Sequence, residues 1–92
     1  MEKSNKAALK TCIGNFKDDI NKVEKDCEIL SFLIVQERQY IKKCQDNGID
    51  ETAIENEMDA LFQLNEAEEK ASFALNYLEE TLSRLKDVKN NF

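Results

Sequence analysis

Apolar residues return at alternating steps of three and four along almost the whole chain. One series runs Leu9, Ile13, Phe16, Ile20, Val23, Cys27, Leu30, Ile34, Glu37, Ile41 and Cys44. A second runs Ile54, Glu57, Leu61, Leu64, Glu68, Ala71, Leu75, Leu78, Leu82 and Leu85. Such steps keep to one face of an α-helix, and their mean repeat of about 3.5 residues is that of a coiled-coil seam. The two stripes match antiparallel about a point near Ile49. Ile13 and Leu61 take heptad position a, Phe16 and Leu64 take d, and an antiparallel pair sets a opposite d. The layers become Phe16–Leu82, Ile20–Leu78, Val23–Leu75, Cys27–Ala71, Leu30–Glu68, Ile34–Leu64, Glu37–Leu61, Ile41–Glu57 and Cys44–Ile54.

Local signals agree with this register. Ser4 is a candidate N-cap for the first helix. Asn47-Gly48 is the natural stop, with Gly48 in the left-handed position and Ile49 closing a Schellman motif beside Cys44. Asp50 then caps a second helix, with Glu51 favourably placed in its first turn. The pattern predicts one all-α domain over 1–92: a helix over about 4–46, a turn at 47–50 and a helix over about 51–90. The expected fold is a long antiparallel two-helix coiled-coil hairpin. Gly14 falls at an outward b position.

One seam cannot absorb all the apolar residues. On the g flank the first helix carries Cys12, Leu33 and Tyr40, and the second carries Ala53, Ala60, Ala67 and Ala74. Ile29, Phe32, Phe73 and Tyr77 come next around the helices. The e flank is mainly polar, and Val35 and Phe62 on that rim read as exposed apolar residues. A row of small residues beside large apolar ones lets another helix approach closely. A lone hairpin also has little core to offset ordering about 85 residues at about 1–2 kcal/mol each. Burial of the g side against another molecule is therefore expected, with a second copy completing a four-helix bundle as a homodimer, or a different protein docking there. The residues that would carry it are Ile29, Phe32, Leu33, Tyr40, Ala60, Ala67, Phe73, Ala74 and Tyr77.

Charge refines this picture. The chain has 13 basic and 19 acidic residues, a net charge of −6. Residues 50–80 hold ten acids against Lys70 alone, a local charge of −9. Glu51, Glu55, Asp59, Glu66, Glu69, Glu79 and Glu80 stand at outward positions and form an acidic face. It would keep the chain in solution or present an acidic surface to a basic partner. The second possibility is an inhibitor whose second helix blocks a basic, nucleic-acid-binding groove of a target. Direct nucleic-acid binding is not expected, since no basic stripe could track phosphates.

The candidate chemistry is sparse. There is no His and no C-x-x-C, so zinc sites and His-based acid–base catalysis are excluded. Glu37, Glu57 and Glu68 lie on the seam, but a ferritin-like di-metal site needs Glu-x-x-His. No nucleophile–base pair or phosphate loop is present. The expectation is a non-enzyme without cofactor, metal or small-molecule substrate. Cys27 and Cys44 stand about 25 Å apart at ~1.5 Å per residue, and Cys12 lies further off, so the three read as free thiols. The longest apolar run, Phe32 to Val35, is too short to span a bilayer, and the polar first residues lack a signal-peptide core. A cytoplasmic, reducing compartment is expected.

Gly48-Ile49-Asp50 is similar to the G-x-D turn between the long helices of tubulin-binding cofactor A. That family breaks into a third helix at a proline, which this chain lacks. The secreted Trp-x-Gly hairpins share the size but have a loop tryptophan where Asp46-Asn47-Gly48 stands here. Neither resemblance carries a function over. The role implied is an adaptor, small chaperone or assembly subunit.

Overall fold

A computed structural model describes residues 3–91. Two helices account for nearly all of them: α1 spans Lys3–Asp46 and α2 spans Glu51–Asn90. No Pro interrupts either segment, and Gly14 is the one glycine inside a helix. The 44 residues of α1 extend about 66 Å at ~1.5 Å per residue. The molecule measures 68 × 15 × 14 Å, which leaves room only for two helices side by side. Joined at one end by four residues, they run antiparallel. This is a helical hairpin.

The turn follows from its residues. Asn47-Gly48 ends α1, and Gly48 adopts φ +67°, a left-handed conformation that a side chain would oppose. Its N–H donates to the Gln45 carbonyl at 3.2 Å, and the Ile49 N–H donates to the Cys44 carbonyl at 3.0 Å. These two bonds make a Schellman motif, which satisfies carbonyls that the helix end would leave open. Asp50 then caps α2, its carboxylate accepting from the Thr52 N–H at 3.3 Å. Ser4, expected as the cap of α1, instead lies within that helix. Nothing in Lys3-Ser4-Asn5-Lys6 opposes helical backbone once the following turns have formed, so the capping preference of Ser is overridden.

The seam contains every residue that the periodicity assigned to it. All eleven stripe residues of α1 and all ten of α2 are buried or half-buried. Cys12 and Thr81 are the only other described residues that are not exposed. Burial is deepest at Ile13, Ile20, Ile34, Ile41 and Cys44, all on α1. The four isoleucines occupy a positions, where a branched side chain fills the hole offered by the facing helix. No residue of α2 is fully buried among those described. A two-helix seam has two open edges, so the leucines of α2 keep their rims in contact with water. The layer assigned to Cys27 and Ala71 pairs two small side chains, both half-buried.

Candidate interaction surfaces

Hairpin formation leaves large apolar side chains in water. Ile29, Phe32, Leu33, Tyr40, Phe73 and Tyr77 keep between 42% and 71% of their surface exposed, and Ala60, Ala67 and Ala74 are exposed too. Heptad position decides how these residues group. Leu33, Tyr40 and the three alanines hold g positions, on the flank where the two helices present a common side. Ile29 and Tyr77, at c, stand next to them. Phe32 and Phe73, at f, point almost directly away from the seam, so they border the flank and do not line it.

The flank is also uneven along its length. Its turn-proximal half joins Ile29, Leu33 and Tyr40 of α1 to the level of Ala60 and Ala67 on α2. Toward the free ends, the α1 positions at the level of Ala74 and Thr81 are Asp26 and Asp19, both exposed. The apolar part of the flank is therefore a patch centred near Leu33 and Ala67. The opposite side is not wholly polar. Val35, Met58 and Phe62 are 49%, 52% and 62% exposed there. Near the turn, Gln45, Ile49, Glu51, Ile54, Glu55 and Met58 line a shallow cleft of about 430 Å³. Its existence depends on how the turn folds back, and no stripe of residues announces it.

The seven residues of the acidic face, Glu51, Glu55, Asp59, Glu66, Glu69, Glu79 and Glu80, are all exposed. Glu80 meets the Arg84 guanidinium at 2.8 Å, one turn along α2, and this is the one ion pair among the described residues. An exposed pair with i,i+4 spacing contributes about 0.3–0.5 kcal/mol at most. The acidic face is thus almost uncompensated within its own molecule.

One grouping escapes the layer assignment. Glu37 and Glu57 were set in successive layers, opposite Leu61 and Ile41, yet their carboxyl groups meet across the seam. Two glutamates one turn apart (about 5.4 Å) can bridge that step with their side chains. Glu37 Oε1 is sealed from solvent and has no hydrogen-bond partner. The Glu37 carboxyl titrates above its ordinary range, through a hydrogen bond with Glu57, then burial, then the charge of Glu57. Tyr40 is raised as well, chiefly by hydrogen bonding to the Cys44 side chain, with smaller contributions from the charges of Cys44, Glu57 and Glu37. Four acids therefore gather within about two helical turns in the turn-proximal half of the hairpin. The signal was present in the sequence as Glu at two neighbouring seam positions of opposite helices.

Among the described residues, no three His, Cys, Asp or Glu side chains converge as a metal site. No helix there is long and apolar enough to cross a membrane. The fold places the molecule in the class of all-α helical hairpins. In comparisons with known proteins, no family model, curated protein or solved structure matches the chain.

Proposed function

We propose that this hairpin is a non-enzymatic protein–protein interaction module, serving as an adaptor, small chaperone or assembly subunit. The observation that carries this reading is the set of large apolar side chains still in water after the seam has formed. Water contact with such surface is unfavourable by about 25 cal/mol per Å², and a contiguous patch of it marks a site of association. The turn-proximal flank suits a helix. The small side chains at Ala60 and Ala67 allow backbone approach, while Leu33, Tyr40 and Ile29 supply apolar area beside them. A second copy is the simplest occupant, because two such flanks face to face make a four-helix bundle.

Replacing Ala67 with Arg tests the proposal. The substitution is exposed in the isolated hairpin, so helicity by circular dichroism should persist, while the mass by light scattering falls from dimer to monomer. An unchanged mass would show that this flank is not where copies meet. A wild-type chain that is already monomeric would remove the homodimer and leave the flank for a different protein.

The uncompensated acidic face supports a second reading, an inhibitor presenting α2 to a basic groove. Salt separates the two. Apolar docking should survive about 0.5 M salt, where the screening length has shrunk to a few ångströms, whereas acidic mimicry should weaken steeply.

A further inference from the structure

We propose that Glu37 and Glu57 form a proton-sensitive clasp, which holds the turn-proximal half of the seam together when one of the two carboxyls is protonated. When both are charged, the clasp opposes the pairing of the helices. An ionised carboxylate only accepts, and Glu37 Oε1 lies inside the seam without a donor. The group facing it from α2 is Glu57, a second acceptor. A single proton converts this repulsive contact into an O–H···O hydrogen bond, so the half-protonated pair suits the seam better than the doubly charged one.

The surroundings offer no other remedy. From α1, the titratable neighbours are Tyr40 and Cys44, and both are acids. Arg38, Lys42 and Lys43 belong to the same stretch of α1 but stand exposed at e, b and c positions, and none forms an ion pair. From α2, Lys70 is the only base between residues 50 and 80, and it lies thirteen residues beyond Glu57. Negative charge on the pair therefore has no cationic partner within the seam. The apolar layers on either side, Ile34–Leu64 and Cys44–Ile54, bear the consequence.

The sign follows from linkage. Glu37 binds its proton more tightly in the folded hairpin than in the unfolded chain, where its value is near 4.5. The stabilisation is complete below that unfolded value and is lost as pH rises through the higher folded value. The clasp thus strengthens on mild acidification, the reverse of the usual carboxylate in an ion pair.

Urea unfolding of the full chain at fixed concentration, from pH 4.5 to 8, tests the clasp. Relative to Glu37→Gln, the wild-type folding constant should fall with rising pH by about tenfold for each unit separating the folded and unfolded values. The amide introduced by Glu37→Gln donates to Glu57 at any pH, so this variant should lose the step and exceed wild type at pH 8. Glu66→Gln removes an exposed carboxylate with the same change of net charge and should keep the step. Parallel wild-type and Glu37→Gln profiles would overturn the proposal, as would loss of the step in Glu66→Gln. Carbon-13 titration of the Glu37 carboxyl supplies an independent readout, and a midpoint at or below the ordinary carboxylate range would also refute the clasp.

Discussion

Gly14 sits in the middle of a helix turn with nothing to justify it. It is exposed at a b position of α1, and a Cβ built there meets no atom within 4 Å. Glycine in a helix interior costs about 1 kcal/mol relative to alanine, through the backbone freedom it surrenders on folding. Gly14→Ala should therefore stabilise the hairpin by about that amount, raising Tm by about 4–8 °C for a chain of this size. Thermal unfolding followed by circular dichroism checks it, and an unchanged or lower Tm would show that Gly14 does not weaken the helix. Residue-scale features were legible where backbone geometry decides them, as at Gly48 and Asp50. They were not legible where side-chain reach decides. Heptad letters place Glu37 and Glu57 in separate layers, and only the length and rotation of two glutamate side chains bring them together.

The elements were the most legible part, because one periodicity determines both a helix and the face it buries. Residues assigned to the seam from three-and-four steps all lie in it, even the polar Glu37, Glu57 and Glu68. The ends were less uniform. The stop at Asn47-Gly48 and the start at Asp50 are written in residues with strong geometric preferences, whereas the start of α1 is not, and Ser4 lies inside it. Gly48 carries the turn. Its φ of +67° strains any L side chain, although open space surrounds it. Gly48→Ala should destabilise the hairpin by about 1 kcal/mol through backbone strain alone. A drop in the urea midpoint with an unchanged m-value would show that the cost is local strain and not a different fold.

For the whole molecule, slenderness is the governing property. The radius of gyration is 20.4 Å, against about 12 Å for a compact domain of this length. A core one side chain deep leaves apolar residues on both open edges, and which edge matters was only partly visible in the pattern. The g flank stood out through its alanines, while the Ile49–Met58 cleft arises from the turn in three dimensions. If the flank closes on a second copy, folding and association are linked and Tm rises with chain concentration. A tenfold dilution should then lower Tm measurably in wild type and leave it unchanged in Ala67→Arg. A concentration-independent Tm in wild type would argue for a hairpin that is stable alone.

The two helices are joined only at the turn, so Lys3 and Asn91 lie at the same end of a rod 68 Å long. Tension applied between those two residues does not shear the seam as a unit. It opens one layer at a time, starting at the level of Ile13 and Leu85 and travelling toward Gly48, with each step resisted by a single pair of side chains. Pulled from the turn and from either free end, the load runs along a single helix and its backbone hydrogen bonds, and the seam is not opened layer by layer. The hairpin is thus mechanically anisotropic, weak as a zipper and strong as a strap. Rupture proceeding from the open end reaches the Glu37–Glu57 pair only near its close, which makes acidity a control on the last layers to part.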